Sequence, residues 1–235
     1  MKFYKLSFLI GCIWVTSSTF LVAQSNEINY SLKKGEVLDL IFMTMESGSE
    51  KDLKNYLNQA VSVAQKYSYQ TLPGLKISDY TAGNLNADLL VIGKWKTLER
   101  RKTFSNEILN HVPDFHEQRR KIWSHFGLTY YELTKDLDFT IDKSQYNVTT
   151  SYWVENTKSF KRALGQWTEK VVESGGQIRL TLAGGKSPFG YHYQPDFIII
   201  TAWKDEESFN NFRNKHRNML NSKLNHINQF VHDLS

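Results

Sequence analysis

Ala87-Asp-Leu-Leu-Val-Ile-Gly-Lys-Trp-Lys96 and Pro195-Asp-Phe-Ile-Ile-Ile-Thr-Ala-Trp-Lys204 are two versions of one stretch. At an offset of 108, Asp88 matches Asp196, Trp95 matches Trp203 and Lys96 matches Lys204. Each run is short, rich in β-branched and aromatic residues, and preceded by turn formers: Gly83-Asn84 before the first, Gly190 and Pro195 before the second. That reads as a strand. Alternate residues of a strand face opposite ways, so Leu89, Val91 and Trp95 oppose Leu90 and Ile92, and Phe197, Ile199 and Trp203 oppose Ile198 and Ile200. Both faces are apolar. Such strands need cover on both sides, helices on one and more protein on the other.

Outward from these strands the chain repeats itself. Glu36 to Met45 predicts a strand, and Ser47-Gly48-Ser49 opens a helix with Glu50 and Asp52 in its first turn. Leu53, Leu57, Val61 and Ala64 give that helix an apolar face. Strands follow at 75–80 and 87–96, then a helical period through Leu98, Phe104, Ile108 and Val112 to Pro113. A further short helix carries Ile122, Trp123 and Phe126, Gly127 stops it, and 128–133 forms one more strand. In the second half, Tyr146 to Val154 is the strand, and Phe160, Leu164, Trp167 and Val171 mark the helix that Gly175-Gly176 ends. Strands at 177–182 and 195–204 follow. From Asp205 onward, Phe209, Phe212, His216, Leu220, Leu224, Ile227, Val231 and Leu234 recur every three or four residues, which predicts a long helix almost to Ser235 and no final strand.

The domain plan is then 1–23 signal peptide, 24–35 polar lead-in, 36–134 first repeat, 135–145 linker and 146–235 second repeat. Lys2 and Lys5, the apolar stretch from Phe8 to Val15 and Leu21-Val22-Ala23 have the layout of a secretory signal, which predicts a periplasmic or secreted protein without a transmembrane span. Leu9-Ile10-Gly11-Cys12 also resembles a lipobox, and lipidation of Cys12 is the alternative. Cys12 is the only cysteine, so disulfides, thiolate metal sites and cysteine nucleophiles are excluded. Without Lys2 and Lys5 the chain has 27 basic against 24 acidic residues, a net of +3, which gives no ground for a nucleic-acid partner.

A β-α-β-β-α order is ferredoxin-like. On Gly175-Gly176, the run Asp196 to Trp203 and the helix opened by Asp205-Glu206-Glu207-Ser208-Phe209, the second half resembles the dimeric α+β barrel superfamily, which includes antibiotic-biosynthesis monooxygenase-like proteins. The resemblance implies an α+β fold: two fused ferredoxin-like repeats (βαββα) packing as an intrachain barrel that other members close by pairing two chains. Heme-degrading relatives use an Asn on the first strand, a Trp on the third and a His on the last helix. Asn147, Trp203 and His216 occur in that order, with the Trp–His interval one helical turn too long. No cofactor is therefore expected, heme being the alternative. No histidine pair has the i, i+4 spacing of a helical metal site, and no metal is expected.

Asn147, Thr149 and Ser151 share one face of their strand, where Leu40, Phe42 and Thr44 stand by position in the first repeat. A polar row either lines a pocket between the sheets or faces water at a sheet edge. The loop from Gly184 to Pro195, with Phe189, Tyr191, His192 and Tyr193, is either a lid or an elaborated hairpin. The triplets Arg100-Arg101-Lys102 and Arg119-Arg120-Lys121 read as solvated surface. The functional expectation is a small, partly apolar molecule bound between the sheets, with cofactor-free oxygenase or isomerase chemistry. His192 would be the acid/base; Asn147, Thr149, Ser151, Tyr191, Tyr193 and Trp203 would be the ligand contacts. The alternative is a non-catalytic module that docks a protein partner or another copy through its C-terminal helix.

Overall fold

The computed structural model describes residues 26–233. The signal-peptide and Cys12 readings fall on residues outside that range. In chain order the first repeat is β1 (Glu27–Leu32), β2 (Val37–Met45), α1 (Glu50–Tyr56) continuing through a π-helical turn (Leu57–Val61) into α2 (Ser62–Lys66), β3 (Gln70–Ala82), β4 (Leu89–Trp95), α3 (Leu98–His111), α4 (Phe115–Ile122) and β5 (Trp123–Glu132). After β6 (Leu137–Asp142) come β7 (Tyr146–Val154), α5 (Thr157–Glu173), β8 (Gln177–Ala183), β9 (Phe197–Trp203), α6 (Glu206–His216), α7 (Asn218–Asn221) and β10 (Leu224–Asp233).

Eight strands form one antiparallel sheet in the order β5-β2-β4-β3-β10-β7-β9-β8, so the two repeats join edge to edge at β3–β10. At the other seam the chain just beyond β8 meets β5. Tyr130 N–H donates to Lys186 O at 2.8 Å, and Lys186 N–H to Tyr130 O at 2.9 Å. The sheet thereby closes into a barrel. Leu40 pairs with Ile92, and Thr149 with Ile200, so the halves correspond strand for strand.

The two marker strands behave as their composition requires. Leu90, Ile92, Ile198 and Ile200 point inward and join Leu38, Leu40, Phe42 and Phe230 in a single interior cluster. Trp95 packs outward against Phe104 of α3, and Trp203 outward against Phe209 and Phe212 of α6. The repeated Asp has a structural role as well. Asp88 Oδ2 accepts from Met45 N–H at 3.2 Å, and Asp196 Oδ2 from Val154 N–H at 2.8 Å, tying each strand to the end of its neighbour.

Several expectations are corrected. The long C-terminal helix is absent: α6 and α7 give way to β10, which lies between β3 and β7. In register, Thr129 of β5 and Phe230 of β10 are equivalent, so the offset falls from 108 to 101 after the marker strand. Seven residues are about two helical turns, so the helical spacing stays in phase across the shortening and hides the strand. Likewise Trp123 and Phe126 belong to β5, not to a helix. The stretches read as lead-in and linker contain β1 and β6, a two-stranded ribbon. Its Tyr30, Leu32, Phe139 and Ile141 are buried in the interior cluster at the end where β2 and β7 begin.

Closure depends on close approach at the seam. A Cβ on Gly185 would overlap the Thr129 methyl and come within 2.7 Å of the Tyr131 ring, both buried. Gly185→Ala is therefore expected to lower stability by about 1–3 kcal/mol, read as a shift of the urea midpoint with an unchanged slope.

Candidate functional site

The interior face of β7 resolves the polar row differently from either expectation. β7 is flanked by β10 and β9, so it is no edge, and Asn147, Thr149 and Ser151 are fully buried. Their equivalents in register are Leu38, Leu40 and Phe42, two residues from the positions expected. Asn147 Nδ2 donates to the carbonyls of Asp142 and Gln145, each at 2.8 Å, where the β6–β7 turn meets the barrel. Ser151 Oγ accepts from the Tyr193 hydroxyl at 2.9 Å. The Tyr193 ring fills the barrel at this end, against Phe42 and Trp153.

Thr149 Oγ1 lies 2.6 Å from His232 Nε2, whose other ring nitrogen is 3.3 Å from Lys76 O. The imidazole is thus placed to donate to the carbonyl and accept from the hydroxyl, which requires the neutral form. The space expected between the sheets holds a cluster of buried side chains, among them Leu40, Phe42, Leu90, Ile198, Tyr193 and Phe230.

The 184–195 loop crosses to the first repeat. Thr129 Oγ1 donates to Tyr193 O, and the loop lies along β5. Phe189 and His192 sit at φ of 56° and 54°, a left-handed conformation that non-glycine residues adopt at a cost. His192 lines a cleft of 520 Å3 at the barrel mouth with His125, Trp153, Tyr193 and His226. Tyr191 points the other way, over α4. Trp203 is buried beneath α6, its indole N–H donating to Thr201 Oγ1 at 3.0 Å. The seven expected residues therefore divide among the barrel interior, its mouth, the outer surface of α4 and the core under α6; Ser151 and Tyr193 are brought together.

The three residues of the heme pattern are not brought together. Tyr146 pairs with Trp203 and packs in the cluster under α6, so the adjacent Asn147 faces the barrel interior, on the opposite side of the sheet. His216 lies at the end of α6 against Phe212, along a cleft of 450 Å3 that Asn147 and Trp203 do not line.

The cavity that sequence reasoning missed lies on the outer face of the first repeat, under α1, α2, α3 and α4. It encloses 360 Å3 and is walled by Ile41, Met43, Leu89 and Val91 of the sheet and by aromatic rings including Tyr56, Phe104 and Trp123. Register explains why it exists. Where this repeat has Met43, Leu89 and Val91, the second has Tyr152, Phe197 and Ile199, bulkier side chains packed against Phe160 and Leu220. The π-helical turn contributes Leu57, Ala60 and Val61 to the cavity wall; such turns recur at functional sites.

Two buried arginines flank the cavity, one from each triplet expected to be solvated. Arg101 Nε donates to Asp39 Oδ1 at 2.7 Å, and the Trp95 indole to Asp39 Oδ2 at 2.9 Å, so this ion pair is fully satisfied. Arg119 Nε donates to the Tyr56 hydroxyl at 2.7 Å and Nη1 to the Tyr191 hydroxyl at 2.6 Å. Its guanidinium stacks 4.0 Å from the Phe115 ring and 4.3 Å from Phe126. The signal was in the sequence: Phe115, Arg119 and Ile122 fall at i, i+4 and i+7 on α4. A third cleft, of 440 Å3 and lined by His116 and Tyr191, shares Arg119, Trp123, Phe126 and Phe189 with the cavity. Burial and the charges of Arg119 and Arg120 hold the His116 pKa below its ordinary value.

Helices outside a closed antiparallel barrel of two ferredoxin-like units define the dimeric α+β barrel fold, here supplied by one chain. Among solved structures the chain is similar to an anthrone oxidase-like protein, with a TM-score of 0.51 and 13% identity over 86% of this chain and 94% of that one. It is also similar to a mutant chlorite dismutase from Candidatus Nitrospira defluvii, with a TM-score of 0.49 and 10% identity over 86% and 92%. No protein-family model matches the chain, and no curated protein matches significantly. Among the described residues no helix is long and apolar enough to cross a membrane.

Burial lowers the His232 pKa from 6.5 to about 4. Below pH 6.5 the unfolded chain takes up a proton that the folded chain refuses. The contribution of this group to stability is therefore complete above pH 6.5 and lost as pH falls toward 4. Chemical denaturation is expected to show about 2 kcal/mol of this loss at pH 5 relative to pH 7. His232→Gln is expected to flatten the slope, leaving the weaker contributions of the same sign from His116 and His125.

Proposed function

We propose that the protein binds a small, largely apolar, ring-bearing molecule in the cavity of its first repeat. The observation that carries this reading is the divergence between equivalent positions: where Tyr152, Phe197 and Ile199 pack against Phe160 and Leu220 in the second repeat, Met43, Leu89 and Val91 of the first leave 360 Å3 lined by aromatic rings and a few polar groups. That volume and lining suit a ligand of one or two rings. The 184–195 loop supports the reading by laying Phe189 against His116 at 4.9 Å and over the edge of the cavity. The chemistry we propose is cofactor-free oxygenation or isomerisation, with neutral His116 in the adjoining cleft as the base. His192 is separated from this cavity and lines the barrel mouth.

Calorimetric titration of the purified chain with 2-naphthalenemethanol is expected to show saturable one-to-one binding. Val91→Phe, which puts in the first repeat some of the bulk that fills the second, is expected to weaken it at least about tenfold. Undiminished binding by this variant would move the site elsewhere.

A further inference from the structure

Arg119 is a buried cation whose surroundings lack a negative charge. Among the described residues, the ion pairs place no carboxylate within reach of it. The two carboxylates that line the cavity are engaged, Asp39 by Arg101 and Trp95, and Asp88 by the Met45 amide. On its own helix Glu117 pairs with Lys121, and Asp114 accepts from Gln118. The other titratable groups nearby are His116, Arg101, Arg120, Tyr56, Tyr69 and Tyr191, none of them a carboxylate. A desolvated guanidinium without a counter-charge is costly. Two of its five N–H groups are engaged with tyrosine hydroxyls, at Nε and Nη1, which leaves donors to spare.

An independent observation points the same way. Trp123 lines both the cavity and the adjoining cleft, is 6% exposed, and its indole N–H is buried without a hydrogen-bond partner. Buried donors are almost always satisfied. An orphaned indole N–H and an uncompensated guanidinium, one helical turn apart in sequence and lining the same two cavities, require the same thing. The indole N–H needs an acceptor and the guanidinium a negative charge, and one anionic oxygen supplies both.

We infer that the molecule taken by this cavity is an aromatic anion, a ring system bearing a carboxylate or phenolate oxygen, held by Arg119 and Trp123 with its rings against the apolar wall. Tyr56 and Tyr191 are positioning residues: their hydroxyls hold the guanidinium, and Tyr191 is delivered by the loop of the second repeat. The Tyr191 hydroxyl accepts from Arg119, so its own proton is available to His116 Nδ1 at 3.3 Å. The binding group is thus coupled to the candidate base.

This inference deepens the cavity reading and rests on it, and the test separates the two. Isothermal titration of the purified chain compares 2-naphthoate with neutral 2-naphthalenemethanol. The expected result is a preference for naphthoate of at least about tenfold, the scale of a charge-assisted hydrogen bond in a dry site. That ratio is expected to fall toward one in Arg119→Met and to shrink about threefold or more in Trp123→Phe, with circular dichroism confirming that each variant is folded. Should Arg119→Met fail to fold, Trp123→Phe alone decides the matter. Equal affinities in the wild type, or a preference that survives in the folded variants, would overturn the inference. So would a preference abolished only by Arg120→Met, which would place the anion on the surface. If the alcohol binds and naphthoate does not, the anion fails and the cavity stands; if neither binds, both fail.

Discussion

A strand that is apolar on both faces cannot rest at the surface of anything. β4 and β9 each present Leu or Ile to one side and a tryptophan to the other, and the architecture follows from covering both. Inward, the faces of the two strands join one interior with Phe42 and Phe230 at its centre, rings 4.9 Å apart. Outward, each tryptophan sits beneath the helix that follows its strand. A single repeat has nothing to place against the inward face, so the second copy completes the first. The eight-stranded ladder and its closure between Tyr130 and Lys186 follow from that need.

Once closed, the barrel is stoppered at both ends. The β1–β6 ribbon drives Tyr30 and Phe139, stacked at 4.4 Å, into one end, and Tyr193 fills the other. The interior is therefore a core, and space for a ligand lies on the outer faces under the helices. There the copies have diverged. Bulky side chains fill the equivalent position in the second repeat, whose own 450 Å3 cleft lies to one side along α6, α7 and β10, and smaller ones with a π-helical turn leave that position open in the first. Asp39 in place of Val148 brings the buried pair with Arg101 into the first repeat only. The second repeat gives its long loop to the first, so Tyr191 reaches Arg119 at the edge of the cavity from the other half of the chain. Duplication followed by unequal filling leaves one chain with a closed barrel and a cavity under the helices of its first repeat.

Much of this was legible in the residues. The matched Asp and Trp positions gave the repeat, the repeat gave the order of most strands and helices, and the family resemblance implied the barrel. The polar row on β7 was read as either a pocket lining or a wet sheet edge, and composition alone does not say that Tyr193 and His232 would meet Ser151 and Thr149 inside the barrel. The C-terminal strand was hidden because a shortening by seven residues preserves helical phase. β1 and β6 were overlooked although Glu27-Ile-Asn-Tyr-Ser-Leu32 and Leu137-Asp-Phe-Thr-Ile-Asp142 alternate apolar and polar strictly, the mark of a half-buried ribbon. Arg119 was read with its charged neighbours when its helical phase with Phe115 and Ile122 placed it inside. The cavity itself had no local signature. It is a difference between two copies, visible only once their register is known.

The central claim is that the ligand sits outside the barrel, under the helices of the first repeat. Intermolecular nuclear Overhauser effects from bound 2-naphthoate test it most directly. The account expects cross-peaks to the ring protons of Tyr56, Phe104 and Trp123 and to the methyls of Val91. Cross-peaks to Phe230, Ile198 or Tyr193 would place the ligand in the barrel interior and contradict it.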